Sequence, residues 1–282
     1  MTIAYPQILD VATEPERWAW ERRDAQLYAL AIGFGRDPLD RRELDYVVEG
    51  PGFKTVSAMA TVIGASAELR SSRLGVDPLG RVHGAESMIV HSPVPPAGAG
   101  VGRTRVIACY DKGPDVGAAI ISRTELACAA TGAAIATLDM TAFARRDGGF
   151  GGPPGPPSPA RPDRAPDHVA LEPTFTHQAL AFRLLRDRNP MHVDPVKVKA
   201  AGFPRPILHG LCLFGIAWRM ILKEIAGWKP ERIRELHVRF ARPLFPGETL
   251  TFEFWREGNE VLFEAGVEGR GAVLRHGRCV MG

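Results

Sequence analysis

The run Phe182-Arg183-Leu184-Leu185-Arg186-Asp187-Arg188-Asn189-Pro190-Met191-His192 concentrates polar groups in a stretch that otherwise reads as helical and buried. Pro190 disfavours helical geometry at Asn189, so the chain is expected to break between Asp187 and His192. In an unbroken helix residues five apart point about 140° away from each other; with the break, a carboxylate and an imidazole can converge on one water. Such a pair does acid-base chemistry, because one group takes a proton while the other gives one. Plainer readings stand beside this one, since Asp-x-Asn-Pro also makes turns and helix caps, and a lone histidine is often a satisfied structural residue. Downstream, Ile207-Leu208-His209-Gly210-Leu211 opens a long apolar stretch. Free amides at a helix start, with a glycine that allows close approach, suit a developing negative charge such as a carbonyl oxygen turning into an enolate. Gly210 could equally serve tight helix packing.

The elements that must position these groups read as a repeat. Tyr28-Ala29-Leu30, Asp37-Pro38-Leu39-Asp40 and Pro93-Val94-Pro95-Pro96 in the first half answer to Phe182-Arg183-Leu184, Asn189-Pro190-Met191-His192 and Pro243-Leu244-Phe245-Pro246-Gly247 in the second. Pro38 to Pro93 is 55 residues and Pro190 to Pro243 is 53; order and spacing agree together, as an internal repeat requires. Residues 147–167 are dominated by glycine and proline, which hold neither a helix nor a central strand. They read as a linker between a first unit, 1–146, and a second, 168–282. In the second, a helix is expected from about His209 to Ala226, stopped by Gly227, with strands at Ile233 to Ala241, Thr249 to Arg256, Glu260 to Val267 and Ala272 to Val280. In the first, strands are expected at Arg103 to Tyr110, Gly117 to Ala127 and Ala133 to Arg145, after a helix somewhere in Thr55 to Ser71. One long helix followed by antiparallel strands, twice over, is an α+β arrangement in which each sheet curls around its helix.

Composition narrows the class. At 45% hydrophobic and 24% charged residues the chain can bury a sizeable core. A net charge of +3, with no Lys/Arg block interleaved with aromatics, gives no support to a nucleic-acid partner. Cys109, Cys128, Cys212 and Cys279 lack the close pair spacings of zinc or redox motifs, which suits a reducing compartment and buried or inert thiols. No basic segment leads into an apolar run near Met1, so no secretory signal is visible and the cytoplasm is the default. The apolar stretch 207–226 ends in Arg219, Lys223 and Glu224, which reads as a buried helix rather than a membrane span. Asp187, His192 and His209 have none of the usual metal-ligand spacings, so no metal is expected.

Residues 182–192 resemble the hydratase-2 motif of the MaoC-like dehydratases, the R-specific enoyl-CoA hydratases, whose core is Asp-x-Asn-Pro-x-His followed by His-Gly at the central helix. Leu27 to Leu30, Asp37-Pro38, Val82-His83-Gly84, Tyr110-Asp111-Lys112-Gly113 and Gly148-Gly149-Phe150-Gly151-Gly152 are similar to landmarks of the two-repeat members, so the resemblance covers nearly the whole chain. It implies a double hotdog fold with one active site, carried by the second repeat; the first has Asp40 in place of His192 and would shape the acyl pocket. By the same resemblance Asp187 and His192 are the catalytic pair, Asn189 orients them, and the Gly210 amide polarises a thioester carbonyl. His83, Lys112 and Phe240 fall where the family contacts its CoA substrate, although they also read as a polar strand residue, a hairpin lysine and a core aromatic. Lys112, Arg188 and Arg205 are candidates for the CoA phosphates. One departure stands out: many members have glycine before the catalytic aspartate, where this chain has Arg186.

The implied reaction is the interconversion of trans-2-enoyl-CoA and (3R)-3-hydroxyacyl-CoA, with the CoA thioester as substrate and no cofactor. Which of Asp187 and His192 is base and which acid stays open, as does chain-length preference. A homodimer is expected by analogy. The rivals are an acyl-CoA thioesterase on the same fold and a non-catalytic acyl-CoA-binding subunit in which Arg186 has spoiled the turn.

Overall fold

A computed structural model describes residues 3–64, 69, 74–77 and 80–282. Its framework is one ten-stranded antiparallel sheet. The strands are β1 (Glu16–Trp20), β2 (Arg81–Val90), β3 (Gly98–Asp111), β4 (Ala118–Cys128), β5 (Ala134–Ala144), β6 (His168–Pro173), β7 (Ile233–Phe240), β8 (Thr249–Glu257), β9 (Glu260–Val267) and β10 (Gly271–Met281). Their order is β1-β3-β4-β5-β2-β7-β10-β9-β8-β6, so each half contributes five strands in the same internal order and the two meet at the β2–β7 seam, where Ala85 pairs with Arg239 and Met88 with Leu236. The two five-stranded halves of this double hotdog are therefore a single continuous surface rather than two sheets.

The strands form where period-2 patterning presents one apolar face. In β9, Val261, Phe263 and Ala265 point into the core while their neighbours are half-buried; each such side chain stabilises the fold by roughly 1.5–3 kcal/mol when it leaves water. The sheet encloses the central helix, Gly210–Met220, in which every residue after Gly210 is buried. A helix that is apolar all round belongs inside a core. It ends short of Ala226 as an α-helix: Ile221–Ile225 form a π-turn, closed by the Ala226 amide on the Ile221 carbonyl at 2.8 Å, and Gly227 then takes φ +63°. Among the described residues of the expected first-repeat helix, 57–63 form a 3-10 turn followed by one α-turn and Leu69 is helical; residues 65–68, 70 and 71 lie outside the described residues.

The helix Arg22–Ala31 of the first repeat lies against the central helix at Gly215. A Cβ there would stand 2.6 Å from Ile32 and 2.7 Å from the Tyr28 hydroxyl, so only glycine permits this approach. Arg219, the one charge in the central helix, is buried with Glu43 and Glu172; its guanidinium meets Glu172 at 2.8 Å and also binds Glu43. That cluster joins both repeats.

Residues 145–167 contain no helix or strand, yet they are tied down. The Asp111 carboxylate accepts the amides of Gly113, Gly149 and Gly151 at 2.9, 2.8 and 2.7 Å, and Arg161 reaches Glu253 and lies over the buried Trp255 ring. The linker is a strap across the sheet.

Candidate active site

Asn189 takes ψ 125°, non-helical as Pro190 requires, but the helix has already ended ahead of Asp187. A helical turn, Gln178–Phe182, tightens into Arg183–Leu185 and ends at Arg186, which takes φ +89° and ψ −17°. This left-handed geometry is favourable for glycine and strained for arginine. The Arg186 guanidinium donates to the Ala19 carbonyl of β1 at 2.7 Å. The substitution therefore leaves the turn intact, contrary to the idea that it would be spoiled.

Beyond Arg186 the turn is held by its own polar groups. The Asn189 amide donates to Asp187 Oδ1 at 3.2 Å, and Asn189 Oδ1 accepts the Met191 amide at 3.1 Å, capping the short 3-10 turn Pro190–His192. His192 is then oriented by the segment that leads into the central helix: its Nδ1 donates to the Ile207 carbonyl at 2.8 Å. A carbonyl only accepts, so the proton sits on Nδ1 and Nε2 keeps its lone pair. Burial pushes the His192 pKa below that of an ordinary histidine, countered by the Ile207 carbonyl and the Asp187 charge. A neutral ring with a free Nε2 can accept a proton.

Donor atoms of Asp187, His192 and His209 all lie within 4.8 Å of one another, so the carboxylate and the imidazole do converge. His209, absent from the sequence-predicted set of site residues, is part of the same group. Its ring stacks on His192 with centroids 3.6 Å apart, and its Nε2 donates to the Asp187 carbonyl at 3.2 Å. Burial, then the neighbouring His192, drive its pKa down to about 3. The signal in the sequence was a polar ring placed at the start of an otherwise apolar helix, which must be buried and must find a partner. The three donors are the group among the described residues that could hold a cation, though one nitrogen of each histidine is already committed to a backbone carbonyl.

Gly210 opens the central helix with His209 as N-cap, so its amide is one of the first-turn N–H groups without an intrahelical acceptor. A Cβ on Gly210 would stand 3.3 Å from His83 Nδ1 and 3.3 Å from the Phe240 ring. His83 comes from β2 and Phe240 from β7, on either side of the seam, with ring centroids 4.7 Å apart. His83 Nε2 is held by the buried Glu86 carboxylate at 2.9 Å. Of the expected substrate contacts, His83 and Phe240 thus gather at Gly210, while Lys112 is engaged elsewhere, its ammonium on the Pro154 carbonyl and over the Tyr110 ring. Arg188 is exposed on the turn, and Arg205 pairs loosely with Glu248 at 3.7 Å. Asp40, the first repeat's counterpart of His192, caps the short helix Arg41–Leu44 and pairs with Arg42.

The comparisons with known proteins follow the two halves. The MaoC like domain matches residues 157–275, and the MFE-2 hydratase 2 N-terminal domain matches residues 18–146. The chain is 36% identical to the enoyl-CoA hydratase ChsH3 of Mycobacterium tuberculosis, over 91% of this chain and 92% of that one. It is also 36% identical to 3-hydroxyacyl-thioester dehydratase Y of the same organism, over 94% and 92%. The crystal structure of a MaoC-like dehydratase from Phytophthora capsici superposes with a TM-score of 0.86 at 30% identity, covering 99% of each chain. With each repeat matched in its own place and the motif turn folded as described, the protein belongs to the MaoC-like dehydratases, in their two-repeat hydratase 2 form.

Proposed function

We infer that the protein is an (R)-specific enoyl-CoA hydratase, interconverting trans-2-enoyl-CoA and (3R)-3-hydroxyacyl-CoA. The observation that carries this reading is the convergence of Asp187 and His192, with His192 Nε2 left as an acceptor, beside a helix whose first amide, that of Gly210, is free of intrahelical bonding. In the proposed reaction that amide donates to the thioester oxygen, which carries the developing enolate charge. Water held by Asp187 and His192 forms the new C–O bond at C3; the pair takes one of its protons and returns a proton to C2 on the same face. The carbonyl is activated by a hydrogen bond and the water by the side-chain pair, so no metal or cofactor enters the scheme. Asn189 orients the pair, His83 and Phe240 line the approach to Gly210, and Arg188 and Lys112 are proposed contacts for the CoA moiety, Lys112 after release from Pro154. The first repeat shapes the acyl pocket.

The test is a spectrophotometric assay across crotonyl-, longer and branched enoyl-CoA substrates. Loss of enoyl absorbance without thiol release is expected. Free thiol from a saturated acyl-CoA would instead identify a thioesterase, and binding without turnover a non-catalytic subunit.

We further propose a cytoplasmic homodimer. All four cysteines are free thiols, as a reducing compartment allows, and no described helix is long and apolar enough to cross a membrane. Leu30, Leu180 and Leu184 stand exposed on the neighbouring helical segments of the two repeats, an apolar surface that a second copy would cover. Light scattering giving the mass of a monomer would refute the dimer.

A further inference from the structure

His209 does more than fill the core. It is 1% exposed, and its Nδ1 is buried without a protein partner. An unpaired buried nitrogen costs about 1–3 kcal/mol, which a leucine or phenylalanine at this position would avoid. The ring stacks on His192 at 3.6 Å and packs against Phe182, tilted, at 5.0 Å between centroids, and its remaining nitrogen is spent on a single bond, to the carbonyl of Asp187. The next residue in the chain is Gly210. One side chain therefore touches the turn that carries the carboxylate and the ring that carries the base, and is covalently continuous with the amide at the helix tip.

We propose that His209 is a positioning residue: its Nε2–H and its ring face fix Asp187 and His192 relative to the Gly210 amide, so that water and thioester meet at the right separation. The tautomer is dictated by geometry, since the Asp187 carbonyl only accepts. Neutrality matters as well: a charged ring stacked on His192 would oppose every proton that His192 takes up, and burial holds His209 neutral down to about pH 3. This inference rests on the hydratase reading and adds a residue to it.

The experiment compares wild type with His209→Phe, His209→Gln and His209→Asn, following kcat and KM for an enoyl-CoA together with thermal melting. Phe keeps size and burial but donates nothing; Gln places an amide nitrogen at the reach of Nε2; Asn falls short of Asp187. Misplacing reacting groups by about 1 Å costs up to ~10²-fold, so His209→Phe and His209→Asn should lose about 10–100-fold in kcat with KM within about threefold. His209→Gln should recover most of that loss, while melting temperatures do not follow the same order. Should His209→Phe fail to fold, the Gln and Asn pair decides. Equal kcat for Gln and Asn, or a Phe variant within about twofold of wild type, overturns the proposal. A wild-type enzyme that leaves enoyl absorbance unchanged would overturn the hydratase reading instead, so the two failures are distinct.

Discussion

The Arg186 guanidinium donates to the Ala19 carbonyl, and through this bond the turn that carries Asp187 in one repeat is fastened to the edge strand of the other. The backbone at Arg186 has φ +89°, a conformation costing a side chain other than glycine roughly 1–2 kcal/mol. Two substitutions separate strain from bond. Arg186→Gly loses the bond but relieves the strain, and should stay within about 1 kcal/mol of wild type, while Arg186→Ala loses the bond, keeps the strain and should fall by about 0.5–1.5 kcal/mol. Urea midpoints at constant m-value measure this. An alanine variant as stable as the glycine variant would mean that the turn is not strained.

For the reacting pair, Asp187→Asn and His192→Ala should each lower kcat by at least about 10² while circular dichroism and melting stay close to wild type. Asp187 is half-buried at a turn, and His192, although buried, lies at the end of a short 3-10 segment and not in a long helix or strand. A near-normal kcat in either variant removes that residue from the chemistry.

Much of this was legible beforehand. The non-helical backbone at Asn189, the Asp187 and His192 convergence and the β8, β9 and β10 strands follow from local rules, because period-2 burial and a proline both act within a few residues, although the helix ends earlier than expected, at Arg186. β6 was not legible: Val169 and Leu171 face outward, and the buried position is Glu172, paired with Arg219. Its pattern is inverted by a tertiary ion pair. β2 escaped because its alternation is broken at Gly84, where the register with β5 shifts between His83 and Ala85. The role of Arg186 needed Ala19, 167 residues away in sequence; no local signal could supply that partner.

Two buried histidines, His192 and His209, and the half-buried His237 set the acid limit of the fold. His209 is depressed to about 3 and His237 to about 4, both chiefly by burial, and His192 is depressed for the same reason. An unfolded histidine titrates near pH 6.5, so below that value the unfolded chain binds protons that the native chain does not. Stability is therefore full above about pH 6.5 and falls as pH drops toward 4, by up to about 1.4 kcal/mol per pH unit for each such histidine. Urea midpoints at pH 7.5, 6 and 5 should decrease in that order. By the same sign, His192 stays a base below the ordinary histidine pKa, and the acid limb of kcat/KM should lie under pH 6.5. A midpoint that is flat across this range would show that these rings are hydrated or paired in the native state.

The Arg219 cluster bears on how the repeats are held together. Arg219, Glu43 and Glu172 are all nearly inaccessible, whereas Arg36, 3.1 Å from Glu172, is partly exposed. One guanidinium thus serves two buried carboxylates, one from each repeat. Arg219→Met should cost about 3–5 kcal/mol, because it strands the Glu43 charge and leaves Glu172 only the partly exposed Arg36, rather than merely deleting a bond. Replacing Glu43 and Glu172 by leucine in the same background removes the stranded charge and should restore more than half of the loss, since buried ion networks exchange with apolar packing at little net cost. The readout is again the urea midpoint, with gel filtration to show that the repeats stay together. If Arg219→Met is within about 1 kcal/mol of wild type, water or Arg36 has taken over the carboxylates, and the central helix is secured by its apolar surface alone.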